Sequence, residues 1–228
     1  MEEQAKLSFF KKWWISARPF SFPASTMPVI FGTVLAYVYG GHEFKPLLFI
    51  LAFIGMVILH SGANILSDIF DFEKGLDKVP APTSGGVVRG IITIREAWIG
   101  SVTMLIAGTA IGLYLTWVSG PWLLAIGLLG LLVGTFYTSH TMVNMKYNGL
   151  GDLAVFLNFG ILGSLGAYYV QSGVLSWIPV IWRCLCRCWS LPSFMQITGA
   201  IFNPIRRSRF LPLLHYWEIK THCVITAF

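Results

Sequence analysis

Charge is scarce in this chain. Of its 228 residues only 11% are Asp, Glu, Lys or Arg, while 55% are hydrophobic. Soluble domains carry roughly a quarter charged residues, so this balance excludes an ordinary water-soluble fold and indicates a chain solvated by lipid. A concentrated basic patch is lacking as well. The net charge is +6, but the basic residues are scattered between apolar spans, which argues against a nucleic-acid partner. No apolar leader with a cleavage site opens the chain, where Glu2 and Glu3 stand instead, so no signal peptide is expected. Internal repeats are also missing, and they would be the mark of many transporters. Cysteine is absent until Cys184.

What is present is a series of apolar runs long enough for a bilayer, at 20–39, 47–70, 98–118, 122–137 and 150–170. They predict an all-α, polytopic transmembrane helix bundle with about five clear spans. Basic residues alternate between the connections. Lys6, Lys11, Lys12 and Arg18 precede the first span, Lys74, Lys78, Arg89 and Arg95 follow the second, and Lys146 follows the fourth. The opposite loops, 40–46, 119–121 and 171–177, hold only Lys45. The positive-inside rule then places the N-terminus in the cytoplasm of a multi-pass protein. A cytoplasmic (inner) membrane is the expected location.

The second span ends in a polar stripe. His60, Asn64, Asp68 and Asp71 are separated by four, four and three residues, which places all of them on one helical face. Ionisable groups at a membrane helix are costly and face a site rather than lipid. Two carboxylates and a carboxamide form an oxygen-rich set suited to a hard divalent cation such as Mg²⁺. The expected metal set is Asn64, Asp68, Asp71 and Asp77, with Asp68 and Asp71 as the catalytic pair. Each has an ordinary alternative: Asp71 as a helix-end solvating charge, Asp77 as a loop residue, His60 as a packed polar side chain outside the metal set. Lys74 and Arg89 are suited to diphosphate oxygens, Arg through bidentate contact, or serve as topogenic charges. Asp152 can be read as a helix N-terminal acid.

After about residue 181 the composition changes. Cys184, Cys186, Cys188 and Cys223 lie there, together with Arg183, Arg187, Arg206, Arg207, Arg209 and Lys220 against the single acid Glu218. A Cys-x-Cys-x-Cys run without a second ligand pair is a poor zinc site. Joining the third base of each codon to the first two of the next gives another reading. Over residues 194–205 it permits His-Ala-Asn-Asn-Trp-Arg-Asp-Ile-Gln-Ser-Asp, with only the Ala forced. A frameshift near residues 178–183 is therefore expected, giving a membrane domain over 1–181 and an aberrant, out-of-frame tail over 182–228. The nucleotide sequence decides this directly.

The motifs resemble the UbiA superfamily of intramembrane prenyltransferases, closest to its 1,4-dihydroxy-2-naphthoate polyprenyltransferase branch. The resemblance covers about residues 13–177. Ala17, Arg18 and Pro19 open the first span, and Asn64, Asp68, Asp71, Gly75 and Asp77 close the second. Arg89, Gly90 and Thr93 follow, then Lys146, Tyr147, Gly149, Gly151 and Asp152, then Gly166, Tyr168, Tyr169, Gln171 and Gly173. Ser67 stands where the family commonly has Asn, and the loop 139–145 lacks the usual prolines. The resemblance implies a nine-helix fold and Mg²⁺-dependent transfer of a polyprenyl group from a prenyl diphosphate to an aromatic acceptor in menaquinone biosynthesis. It implies that Tyr137 and Lys146 help bind the diphosphate or position the allylic cation, with Tyr137 alternatively a belt aromatic. Arg18 is expected to contact the acceptor's carboxylate or to anchor the interface. The second Asp cluster of the family is absent, so the chain as written is expected to be inactive. Acceptors such as 4-hydroxybenzoate, a chlorophyllide or a glycerol phosphate remain open, as does a non-enzymatic cation-binding transporter.

Overall fold

A computed structural model describes residues 7–73, 85–138 and 154–184, with the main chain alone at 135–138. The chain divides into two compact units, Met1–Val180 and Ile181–Phe228. The helices named here all belong to the first. They are α1 (Phe9–Ala17), α2 (Pro23–Val38), α3 (Pro46–Glu73), α4 (Ile94–Ser119), α5 (Trp122–Thr138) and α6 (Gly163–Ser172). A 3-10 turn, Pro19–Ser21, separates α1 from α2, and a π-helical segment, Phe156–Leu162, runs into α6. Every regular element among the described residues is helical, as the sequence predicts.

α3 and α4 are long and apolar enough to cross a membrane by themselves. Their 28 and 26 residues extend about 42 and 39 Å at 1.5 Å per residue, more than the hydrocarbon thickness. The first predicted span is a bent pair instead: α1 with its 3-10 turn meets α2 at 59°. The cause is local. Arg18 takes left-handed dihedrals (φ 56°, ψ 62°), Pro19 cannot continue the preceding helix, and Pro23 restarts one. α5, at 17 residues, is a shorter apolar helix, and the predicted fifth span begins outside the described residues. Large apolar side chains cover the outer faces, Trp117 being 83% exposed and Ile106 65%. In water such a surface would aggregate, and in lipid it is solvated.

Two contacts set the helix arrangement. α3 packs most extensively against α4, and α2 against α6. The second pair crosses closely because Gly32 has no side chain: a Cβ there would stand 2.2 Å from the Ser164 carbonyl oxygen. Small residues at a membrane crossing let dispersion and main-chain contacts replace the missing hydrophobic driving force.

The two ends of the bundle are closed differently. At one end the segment after α3 tucks inward, placing Val87, Ile91 and Ile92 against Ile65 and Ile69 of α3 and Ala97 of α4. Thr93 then starts α4 with a reciprocal capping box, accepting from the Glu96 amide at 3.2 Å while the Glu96 carboxylate accepts from the Thr93 amide at 2.8 Å. At the other end the buried Gln171 clamps the loop before α3. Its Oε1 accepts from the Lys45 amide at 2.8 Å and its Nε2 donates to the Lys45 carbonyl at 3.2 Å.

Candidate functional site

The polar stripe of α3 lies at the tucked end. Asp68 is 1% exposed and Asp71 7%, so both carboxyl groups are buried. Isolated burial of a carboxylate is prohibitive, so its partners decide what it can do. Asp68 has two. The Arg18 Nη2 donates to Asp68 Oδ1 as an ion pair, and the Gly86 amide donates to Asp68 Oδ2 at 3.0 Å. Three separate chain segments thus meet on one carboxylate: the bend after α1, the last turns of α3 and the inward turn after it.

The inward turn can reach Asp68 because position 86 is glycine. A Cβ there would lie 2.2 Å from the Ser16 Oγ of α1. The turn is held by its own main chain, Arg89 N–H to the Gly85 carbonyl at 2.9 Å and Ile91 N–H to the Gly86 carbonyl at 2.9 Å. Arg89 therefore sits one turn beyond the amide that holds Asp68, and its side chain is half-buried.

One helical turn deeper, Asn64 is fixed through its amide nitrogen, which donates to the Ala17 carbonyl and to Ser21 Oγ, both at 3.0 Å. That fixes the carboxamide so that Oδ1 turns away from these partners. His60 lies deeper still, with Nδ1 2.8 Å from Ser25 Oγ and Nε2 3.4 Å from Ser21 Oγ. The Phe159 ring, from the π-helical segment, lies 4.9 Å from the imidazole centroid, and Phe22 lies 6.0 Å away. Ser67 Oγ donates to Asp71 Oδ2 at 3.4 Å, along the same helix face.

The structure therefore brings together Arg18, Asn64, Asp68 and Asp71, with Arg89 on the adjoining turn. Arg18, read from the sequence as an acceptor contact, is placed on Asp68. Lys74, Asp77, Lys146 and Asp152 lie outside the described residues, as does the side chain of Tyr137. Sequence reasoning missed Gly86, Ser21 and Ser25. Gly86 acts through a main-chain amide, for which the only signal was the Gly85–Gly86 pair. The serines are separated by four residues and so share a face with each other, a signal that was legible.

Among the described residues no group of three or more His, Cys, Asp and Glu side chains forms a metal cluster. The donor chemistry nonetheless fits a hard divalent cation: Asn64 Oδ1 and the Asp68 and Asp71 carboxylates are oxygen donors only. The site also already holds a positive charge against Asp68, in the form of the Arg18 guanidinium.

Comparison with known proteins bears on the same stretch of chain. Residues 25–199 match the UbiA prenyltransferase family. A 1,4-dihydroxy-2-naphthoate octaprenyltransferase of Mycobacterium tuberculosis is 31% identical over 173 residues, which is 75% of this chain and 58% of that protein. One of the same name from Haemophilus influenzae is 29% identical over 172 residues, covering 71% of this chain and 54% of its own length. The rat UbiA prenyltransferase domain-containing protein 1 is 32% identical over 171 residues, 74% of this chain and 49% of that protein. The chain thus spans about half the length of the curated relatives it matches. With an all-helical membrane fold, a buried oxygen-donor site closing a long apolar helix, and a match across most of its length, the chain belongs to the UbiA prenyltransferase family.

Proposed function

We propose that this chain is the N-terminal part of an intramembrane enzyme that transfers a polyprenyl group from a prenyl diphosphate to an aromatic acceptor. The acceptor we favour is 1,4-dihydroxy-2-naphthoate, in menaquinone biosynthesis, because similar proteins from Mycobacterium and Haemophilus are named for it. The single observation supporting a diphosphate site is the meeting of Arg18, the Gly86 amide and the Asn64–Asp68–Asp71 face at one end of α3.

Mg²⁺ is the metal we assign, held by Asn64, Asp68 and Asp71 with Asp77. When bound it neutralises the charge that develops on the departing diphosphate. The protein's own residues do the rest. Arg18, Lys74 and Arg89 bind the diphosphate oxygens, and Tyr137 and Lys146 position the donor. Aromatic side chains such as Phe159 keep water from the allylic carbon until an electron-rich aromatic carbon attacks it. The surrounding lipid solvates the isoprenoid tail. We place the protein in the cytoplasmic (inner) membrane with its N-terminus in the cytoplasm. We assign residues 1–181 to the transferase domain and 182–228 to an out-of-frame tail, which makes this polypeptide inactive until the frame is restored.

The test uses the gene with its downstream frame restored. Asp68→Ala is expected to lower Mg²⁺-dependent release of diphosphate from a labelled prenyl donor by about 10²-fold, the scale of losing one preorganised charge-stabilising group. Unchanged turnover would sink the site. Quinone analysis of a deletion strain separates the acceptors: loss of menaquinone supports the naphthoate, and loss of ubiquinone alone points to 4-hydroxybenzoate.

A further inference from the structure

The first helix presents a surface that no described residue covers. In 9 residues α1 carries two Phe, two Trp and two Lys, and no acid. It lies before residues 25–199, the stretch that matches the family, so family membership assigns it no role. Its inner side is anchored at the Asp68 end of the bundle. Ser16 and Ala17 are buried, and the Ala17 carbonyl accepts from Asn64. Trp13 fills the space left by Gly100 of α4, where a Cβ would stand 2.1 Å from its ring. At 59° to α2, the helix runs more across that neighbour's axis than along it.

Successive residues turn about 100°, so the outer side of α1 divides into two sectors. Phe10 and Trp14, four residues apart, share one of them and are 84% and 62% exposed. Lys11 and Lys12 lie further round the helix. Lys11 is exposed and pairs with no acid among the described residues, while Lys12 is half-buried and lies in the field of the Glu96 carboxylate at the start of α4. In water the two aromatic side chains would be stranded, and in hydrocarbon the two ammonium groups would be. Only the boundary satisfies both sectors, with rings entering the acyl region and lysines reaching outward to the headgroups.

We propose that α1 is an interfacial helix that docks on anionic phospholipid headgroups, Phe10 and Trp14 entering the acyl chains and Lys11 meeting the lipid phosphates. A zwitterionic surface would accept the rings but offer Lys11 no net counter-charge, whereas an anionic one matches both sectors. The surface in question is the leaflet at the Asp68 end. The proposal holds whichever side of the membrane that end faces and whatever reaction the site performs.

The test uses the full-length chain with its four cysteines replaced by serine and a bimane label attached through Phe10→Cys. It is placed in nanodiscs of phosphatidylcholine and phosphatidylglycerol in equal parts, with bromine, a contact quencher, on the upper acyl chain of one lipid or the other. Brominated phosphatidylglycerol is expected to quench the label about two- to fivefold more than brominated phosphatidylcholine, the enrichment that one or two lysines produce at an anionic surface. Lys11→Gln, alone and then with Lys12→Gln, is expected to lower that preference stepwise, and Lys11→Arg to keep it. A label attached through Trp117→Cys, exposed at the other end of α4, is expected to show none. Equal quenching by both lipids at position 10, or a preference unchanged in the double variant, overturns the anionic partner. No quenching by either lipid means that water or protein covers α1, and it overturns the docking itself.

Discussion

At the scale of single residues, the site depends on one atom that is not there. Gly86 brings its amide to Asp68 only because no Cβ occupies the 2.2 Å gap to Ser16 Oγ. Gly86→Ala is expected to push the turn outward and destabilise the protein by about 1–3 kcal/mol, the usual cost of overpacking. Ser16→Ala in the same chain removes that contact, leaving the Ser16 Cβ at 3.0 Å, and is expected to recover part of the loss. Melting curves of the single and double variants check this, and additive losses would refute it. The stripe itself was legible in the sequence, because a spacing of four, four and three admits one helical face. The Gly86 contact was not, since a main-chain amide 18 residues away leaves no side-chain signature. Arg18 was read from the sequence as an acceptor contact or an interface anchor, and its pairing with Asp68 depends on a left-handed backbone turn that spacing does not reveal.

Among the elements, the bend between α1 and α2 is the main departure from a simple run of spans. The sequence reading took residues 20–39 as one unbroken span, whereas the 59° angle arises locally from the left-handed Arg18 and from Pro19 and Pro23. The opposite end of the bundle is held by Gln171, which is 2% exposed and satisfied by both polar groups of Lys45. Gln171→Leu removes one side of two hydrogen bonds; the Lys45 amide loses its acceptor, while the Lys45 carbonyl keeps the Phe49 amide at 3.1 Å. The substitution is expected to cost about 1–3 kcal/mol, readable as a lowered melting temperature in nanodiscs. A variant as stable as wild type would show that water satisfies the Lys45 main chain. The π-helical segment before α6 was invisible to periodicity. Its last hydrogen bond, Gly163 N–H to the Asn158 carbonyl, skips one residue more than an α-helix, and the segment carries Phe159 to His60.

For the whole molecule, the sequence conveyed the helical class and, of the five expected spans, α3 and α4, with the first span present as a bent pair and α5 shorter than a crossing helix. Composition alone identifies lipid as the solvent, whereas helix ends depend on packing. The positive-inside pattern predicts that the end bearing Asp68 faces the cytoplasm. A cysteine-labelling experiment checks this cleanly, since native cysteines occur only at positions 184, 186, 188 and 223 and can be replaced by serine. Glu43→Cys and Arg95→Cys both change exposed residues, one at each end of the bundle. A membrane-impermeant maleimide added to intact cells is expected to modify the former, and the latter only after permeabilisation. The reverse pattern would invert the orientation.

The clamp on Lys45 has a consequence for what substitution can reach. Gln171 grips the main-chain N–H and C=O of residue 45 and not its ammonium group, so position 45 accepts almost any amino acid. Proline is the exception, because it has no amide hydrogen to offer. Natural variation is therefore expected to be wide at 45 and narrow at 171, although the two residues share the same bonds.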